Sequence, residues 1–158
     1  MNKTILRGFS AAAIIAGSMA LGSAAFAGEC PAGKVVADGK GQMDQGLMAK
    51  DVTDTVLASV DLSKEMVAAA DHQFRMRRLE IQPGGIVPWH DHADRPALIY
   101  VVQGEITEYA STCSDPIVHK AGNVSVDSGR HHWWKNTGKK KVVLISSDIL
   151  HDKADTNM

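Results

Sequence analysis

Short apolar stretches, each closed by Gly, Pro or other turn-forming residues, recur along the chain from about residue 55 to residue 150. Several alternate apolar and polar residues, and none carries a long pattern with the 3.6-residue period of an amphipathic helix. Many short strands separated by Gly and Pro turns are typical of a β-sandwich or a β-barrel. The pattern therefore predicts an all-β fold.

The stretch from residue 74 to residue 82 is predicted to be a strand that ends at the turn sequence Pro83-Gly84-Gly85. Its apolar residues change faces midway, and we expect a bulge at that point to reconcile the two halves of the strand. The residues concerned are Phe74 and Met76 on one face, Leu79 and Ile81 on the other, and Arg77 and Arg78 between them.

The next apolar run, Leu98 to Val102, is predicted to belong to the core, including Tyr100. Gln103-Gly104 follows directly, and this dipeptide predicts a hairpin turn into another strand. The earlier stretch from Ser63 to Ala70 fits a short helix and a strand equally well, because its period does not decide between them.

The N-terminus has the pattern of a secretory signal peptide. Lys3 and Arg7 precede an apolar run from Phe9 to Leu21, and Ala25-Phe26-Ala27 forms a small-x-small cleavage site. The alternative is a single membrane anchor, but Gly and Ser residues interrupt the run and make it weakly hydrophobic. We expect a mature chain that begins at Gly28, is secreted or periplasmic, and has no membrane association after cleavage.

The remaining residues, 28–158, are predicted to form a single domain. Residues 28–50 are rich in Gly and poor in large apolar residues, which predicts an extended segment, and residues 71–150 are the expected barrel core. The hydrophobic content of 44% and charged content of 22% are ordinary for a globular protein. A net charge of -1 offers nothing for nucleic acid to bind.

The chain has two cysteines, Cys30 and Cys113, and no CxxC motif. An exported protein folds in an oxidising compartment, where a disulfide is stable. We expect a Cys30–Cys113 disulfide that ties the mature N-terminus to a loop of the domain. The alternative is a reactive or intermolecular thiol.

His90 and His92 follow the Pro83-Gly84-Gly85 turn and stand one residue apart. On a β-strand, residues i and i+2 project from the same face, as two ligands of one ion must. Neutral imidazole suits zinc, copper, iron and nickel. The pair is predicted to bind a metal, whereas a purely structural pair would be two polar residues at a barrel mouth.

Together with a later stretch, this His-x-His sequence resembles the cupin superfamily across about residues 71–150. The resemblance implies a jelly-roll β-barrel, also called a double-stranded β-helix, and a third metal ligand at His132. The matching positions are Gly85, His90, His92 and Gly104 in the first motif, and Gly122, Gly129, His132 and Asn136 in the second, where Asp127 replaces a proline.

The chain departs from the family pattern at Ala97, where the first motif places a metal-binding Glu. The expected ligand set is therefore His90, His92 and His132, with an open coordination position at Ala97. Asp94, Glu80 and Glu108 are the candidate carboxylates to replace the missing ligand, and the sequence does not place them.

Residues next to these motifs are candidates for binding a small ligand. The Arg95 guanidinium is suited to a carboxylate, and a structural ion pair is the alternative reading. Only one of Trp133 and Trp134 faces inward on an alternating strand, and Trp134 is our candidate for the pocket wall. His131 is predicted to face outward, although a register slip would exchange it with His132. His72, His119 and His151 are predicted to be surface or loop residues.

Two functions follow from these patterns. The first is a metal-dependent enzyme, for instance dioxygenase-like, that acts on a small molecule with a divalent Fe, Zn, Mn or Ni ion. The second is a non-catalytic cupin that binds a small ligand or metal at a degenerate site. Whether the protein is an enzyme stays open at this point, as does the substrate. A homodimer is expected, because small jelly rolls often bury a sheet edge or face by self-association.

Overall fold

The structure, a computed structural model, describes residues 28–151, so the predicted signal peptide at residues 1–27 lies outside the described residues. Strands account for most of the ordered elements in this range, together with one 3-10 turn at Leu62–Lys64 after the first strand. The strands are β1 (Lys50–Asp61), β2 (His72–Asp91), β3 (Ala97–Gln103), β4 (Glu105–Ala110), β5 (Ile117–Lys120), β6 (Val124–Asp127), β7 (His131–Lys135) and β8 (Val142–His151).

Strand β2 is long enough to take part in two sheets. Its first half pairs with β1 on one side and β8 on the other, and its second half pairs with β7. The strands form one continuous eight-stranded sheet, and every pairing is antiparallel. We call the parts on either side of the bend in β2 the two sheets of the barrel; their orders are β1-β2-β8-β3-β6 and β2-β7-β4-β5. This is the all-β jelly-roll barrel that the sequence predicts. Between residues 28 and 151, no helix is long and apolar enough to cross a membrane.

The predicted end of a strand at Pro83 is wrong, because β2 continues through the Pro-Gly-Gly sequence. Up to Ile81 the strand pairs with β8, and from Ile86 onward it pairs with β7. Gly84 has a φ of 80°, and a Cβ on Gly85 would lie 2.9 Å from the Asp51 carbonyl oxygen. The two glycines therefore let one strand bend from the first sheet into the second.

The predicted hairpin at Gly104 is also wrong. Strand β3 pairs with β6 and β8, whereas β4 pairs with β5 and β7. Gly104, with a φ of 87°, therefore carries the chain from one sheet to the other. A turn residue indicates that the chain changes direction, but it does not reveal which strands then pair.

The bulge predicted near Arg77 in β2 is absent from its pairing with β8, which is regular from His72 to Ile81. Arg77 is buried on the same face as Leu79 and Ile81, while Phe74 and Met76 are exposed. The expectation failed because it assumed that the apolar side chains point inward and the arginines outward. The irregularity lies instead in the partner strand β1, between Val56 and Ala58.

The main core fills the space between the two sheets. Trp134 belongs to this core and is 1% exposed. The placement of Tyr100 in the core was wrong, since Tyr100 is 45% exposed and only alternate residues of β3 face inward. The buried residues of the core are Leu79, Ile81, Val87, Ala97, Ile99, Val101, Ile106, Trp134, Val142 and Leu144.

The N-terminal segment lies against the barrel rather than forming a strand of either sheet. A disulfide joins Cys30 to Cys113, and Val35 forms an isolated β-bridge with Cys113. Gly41 packs so closely that a Cβ there would lie 2.4 Å from the Cys113 carbonyl oxygen. The segment is therefore attached by a covalent bond, by backbone hydrogen bonds and by close packing at a glycine.

Candidate metal centre

Three histidine side chains meet inside the barrel. His90 lies near the end of β2 and His92 just beyond it, and His132 lies on β7 as the cross-strand partner of His90. The relative exposures of the three residues are 8%, 1% and 0% in that order. A ligating nitrogen from each ring lies within 4.8 Å of one from each of the others, and the Nε2 atoms of His90 and His132 are 3.0 Å apart.

The register of β7 decides which of two adjacent histidines faces the centre. His132 is fully buried, whereas the side chain of His131 is 43% exposed and its ring stacks on Trp89 with centroids 5.8 Å apart. Residue 132 therefore points into the barrel and residue 131 away from it, in agreement with the predicted register.

Each of the three rings uses its Nδ1 atom in a hydrogen bond to the protein. Nδ1 of His90 lies 2.8 Å from the Pro88 carbonyl oxygen, and Nδ1 of His92 lies 2.6 Å from the Arg95 carbonyl oxygen. In His132, Nδ1 lies 2.7 Å from Oε1 of Glu108. Carbonyl and carboxylate oxygens only accept, so each Nδ1 donates, and each neutral ring keeps its lone pair on Nε2.

These lone pairs are the observation that tests whether a metal ion fits. Nε2 of His92 is buried without a hydrogen-bond partner, and the Nε2 atoms of His90 and His132 face each other at 3.0 Å. Two acceptors at that distance repel each other unless a cation lies beside them. Two nitrogen ligands about 2.1 Å from one ion are roughly 3.0–3.4 Å apart, so the residues fit a divalent metal.

The rings of His90 and His92 are neutral at physiological pH, as metal ligation requires. Burial, followed by the proximity of His132, lowers the pKa of His90 well below its usual range and lowers the pKa of His92 to about 4. Their lone pairs are therefore available to an ion without competition from protons.

Behind His132 lies a buried group of charged residues. Glu108 is fully buried, accepts from His132 and lies 2.7 Å from Nε2 of His119. Arg130 approaches the same carboxylate at 2.9 Å and also pairs with Asp127. Burial disfavours the charged form of Glu108, but hydrogen bonds from His119 and His132 outweigh this effect and lower the pKa of the carboxyl. The prediction that His119 lies at the surface is wrong, because the residue is 0% exposed.

The Ala97 side chain is buried, like those of Ile99 and Val101 on the same face of β3. Its cross-strand neighbours are Asp127 on β6 and Asp148 on β8, and both are buried. The methyl group therefore occupies the place of a longer side chain without adding a ligand atom.

Of the three carboxylates considered as substitutes, only Glu108 comes close to the histidines. Asp94 is exposed, and Glu80 forms ion pairs with Arg78 and Lys141 at 2.9 and 2.7 Å. Glu108 itself contacts the Nδ1 side of His132, not the Nε2 side.

A small cavity of about 20 Å³ borders His90 and His92. Arg77 lines it and pairs with Asp54 and, at 3.0 Å, with Asp148, while the Nε atom of Arg77 is buried without a hydrogen-bond partner. The other lining residues are Leu79, Val87, His90, His92, Ile99, Trp134, Leu144 and Ser146.

Arg95 is buried rather than placed at an open pocket edge, with Nη1 3.9 Å from Asp148. Arg75 makes two hydrogen bonds to the same aspartate, at 3.0 and 2.8 Å. Three arginines, Arg75, Arg77 and Arg95, thus lie around Asp148. The ligand-binding role of Arg95 stays a prediction.

Comparison with known proteins agrees with this architecture. The family model described as a cupin domain matches residues 77–148. No curated protein sequence matches the chain.

Two solved structures are similar in fold. The cupin domain of Schizosaccharomyces pombe Cnp3 shares 18% identity, with a TM-score of 0.50, and the match covers 65% of this chain and 68% of that one. An uncharacterized protein with a double-stranded β-helix domain from Klebsiella pneumoniae shares 16% identity, with a TM-score of 0.51 and coverages of 73% and 86%.

Sequence reasoning missed the charged residues that surround the histidines. Arg77 and Asp148 lie in strands where their neighbours suggested an apolar interior, and His119 had no partner pattern. For Glu108, the sequence does not reveal which face of β4 its side chain occupies. A strict period of two applied to 75, 77, 79 and 81 would have signalled that the arginines point inward.

Proposed function

Since the chain belongs to the cupin superfamily, we propose that it binds one divalent transition-metal ion through His90, His92 and His132. The observation that carries this proposal is the convergence of three buried histidine rings, with one ligating nitrogen of each within 4.8 Å of the others. Nε2 of His92 has no hydrogen-bond partner. Each ring is held in the required tautomer by an oxygen on its Nδ1 side. Such outer hydrogen bonds are what orient histidines in metal sites.

When bound, the ion would supply a Lewis acid and lower the pKa of a coordinated water. Three neutral imidazoles leave its charge of about +2 uncompensated by any directly bound anion, and Ala97 adds none. This favours a small anionic ligand, with Arg77 lining its site and Trp134 forming a wall. Arg95 would contribute indirectly, because its guanidinium lies beside Asp148 and its carbonyl oxygen accepts the hydrogen bond that orients His92.

The function that we propose is therefore a metal-dependent cupin that acts on, or holds, a small anion. A cavity of about 20 Å³ has room for about one water-sized group, which favours a ligand of very few atoms. The same small size supports the second candidate, a non-catalytic protein that retains the ion itself.

We also propose that the protein works outside the cytoplasm. The signal-peptide pattern at residues 1–27 supports this location, and the disulfide between Cys30 and Cys113 is compatible with it.

Replacement of His92 by Ala tests the metal site. We expect the wild type to bind one zinc ion per chain and His92→Ala to lose stoichiometric binding, because two imidazoles alone hold an ion poorly. Isothermal calorimetry and metal analysis of the purified protein measure both. His131→Ala is the matched control, since it removes a neighbouring histidine that faces outward, and it should bind like the wild type. Equal binding by wild type and His92→Ala would contradict the proposal.

The two candidate functions differ in whether an outside molecule reaches the ion. We expect formate or acetate to change the visible absorption spectrum of the cobalt-loaded wild type, because the position at Ala97 is open. Ala97→Glu should abolish this change, since it fills the position with a carboxylate. If neither anion changes the spectrum, the second candidate function, a non-catalytic protein that retains the ion, is favoured.

A further inference from the structure

The family pattern places a carboxylate directly on the ion, and this chain has Ala97 there. We propose that Glu108 supplies the missing negative charge from behind His132, and that the resulting all-nitrogen site selects late transition-metal ions such as Zn²⁺ or Ni²⁺ over Mn²⁺. This inference rests on the proposed function, since it requires that His90, His92 and His132 bind a divalent ion.

The position of Glu108 is the first step. Its carboxylate is 0% exposed, with Oε1 2.7 Å from Nδ1 of His132 and Oε2 2.7 Å from Nε2 of His119. Two imidazoles thus hold the carboxylate from opposite oxygens and fix its orientation. Glu108 contacts one nitrogen of the His132 ring, and the other nitrogen of the same ring, Nε2, faces His90.

The local charge balance is the second step. Glu108 and Asp127 carry two negative charges, and Arg130 pairs with both. Arg130 is therefore shared between two carboxylates rather than paired with Glu108 alone. Asp127 is less suited to act on His132, because its Oδ1 lies 3.7 Å from Nδ1 of His132, beyond hydrogen-bond distance, whereas Oε1 of Glu108 lies at 2.7 Å.

The effect on the ion follows from the chemistry of imidazole. A carboxylate that accepts from Nδ1 raises the basicity of Nε2, and loss of such a partner weakens metal affinity by roughly 10- to 100-fold. The burial of both groups leaves this interaction little screened by water. Imidazole ligands suit zinc, copper, iron and nickel, whereas manganese prefers carboxylate and water oxygens. Moving the negative charge away from the ion should therefore lower the affinity for Mn²⁺ more than the affinity for Zn²⁺.

The test is calorimetric titration of the purified protein with Zn²⁺ alone, followed by competition with Mn²⁺. Glu108→Gln keeps the shape but removes the charge, and it should weaken Zn²⁺ binding by roughly 10- to 100-fold. Glu105→Gln is the matched control, because it makes the same change on the same strand at an exposed residue that pairs with Lys120. It should bind Zn²⁺ like the wild type.

A second pair of variants tests the exchange of one carboxylate for the other. Ala97→Glu should improve the affinity for Mn²⁺ relative to Zn²⁺. In the double variant with Glu108→Gln, the loss of affinity should be smaller than in Glu108→Gln alone, because the new carboxylate already balances the ion. If Glu108→Gln does not fold, Glu108→Asp keeps the charge but withdraws it from His132, and it should still weaken Zn²⁺ binding.

The possible outcomes separate the two proposals. Absence of zinc binding by the wild type would overturn the proposed function itself. Stoichiometric binding that Glu108→Gln leaves unchanged, or a wild type that prefers Mn²⁺ to Zn²⁺, would overturn the role of Glu108 and leave the three-histidine site standing.

Discussion

Each of the three histidines uses one ring nitrogen to hold its side chain in place and leaves the other for the candidate metal site. His90 and His92 each donate a hydrogen bond from Nδ1 to a backbone oxygen two or three residues away. These contacts fix the rings without help from another strand. His132 gives its Nδ1 to Glu108 on a neighbouring strand. Two of the rings are therefore oriented by local chain geometry and the third by tertiary contacts, so substitutions near β4 should disturb His132 first.

The pH dependence of stability should report the buried state of His92. Its pKa of about 4 in the folded protein lies below the ordinary 6.5, so the unfolded chain binds more protons between these values. Stability should be fully present above pH 6.5 and should fall as the pH drops toward 4, by about 2 kcal/mol for this residue between pH 7.5 and 5. His90 acts in the same direction.

Urea denaturation of the chelator-treated protein at several pH values measures this effect. His92→Gln is the comparison, because it removes the titrating group and should give a shallower pH dependence. A metal-free wild type that keeps the same stability from pH 7.5 to pH 5 would show that these rings are not buried as described.

At the level of single residues, the sequence supported the histidine cluster but not its surroundings. The spacing of His90 and His92 and the motif around His132 were enough to bring three rings together. The roles of Glu108, His119 and Arg77 depend on which strands pair and which way each side chain points. Those are long-range properties, and a local pattern carries little information about them.

Among the elements, β1 stands apart because none of its twelve residues is buried. In the described part of the chain it pairs only with β2, so its other edge has no strand beside it. Val56, Leu57 and Val60 expose about half of their surface, and Val60 lies opposite the exposed Phe74. An unpaired edge with apolar side chains is a surface on which another chain can add.

We therefore predict that the protein forms a homodimer through β1 of two copies. Leu57→Lys should convert the dimer to a monomer, because it places a charge in the centre of the apolar edge. Light scattering of the purified protein measures the mass. Val118→Lys is the matched control, since it makes an equally exposed change on β5 of the other sheet and should stay dimeric. A wild type of monomer mass at working concentration would reject the prediction.

The existence of most strands was predictable, and their pairing was not. Turn residues such as Gly104 correctly marked the ends of strands but led to a hairpin that the barrel replaces with a crossing between sheets. Strand β2 was divided in two because Pro83-Gly84-Gly85 reads locally as a turn. In the barrel β1 pairs with both halves of β2, while the partner on the other side changes from β8 to β7. Tertiary structure thus outweighs the local preference.

Across the whole molecule, buried charge is arranged on two sides of the histidine cluster. The arginines around Asp148 lie near the cavity, while Glu108 and Asp127, which both pair with Arg130, lie behind His132. Glu108 would then push electron density toward the ion through the His132 ring. The resemblance to cupins predicted the barrel and the histidines, but it did not predict that these two groups of buried charged residues surround them.

The position of Trp134 gives the protein an optical property of its own. The indole is 1% exposed, its nitrogen lies 3.4 Å from Nε2 of His132, and its ring centre is 4.6 Å from that of His119. An ion on Nε2 of His132 would lie almost against this fluorophore. Paramagnetic Cu²⁺ or Ni²⁺ would then quench its emission, whereas closed-shell Zn²⁺ would leave most of it intact, so the light from one tryptophan reports both the presence and the electronic character of the metal.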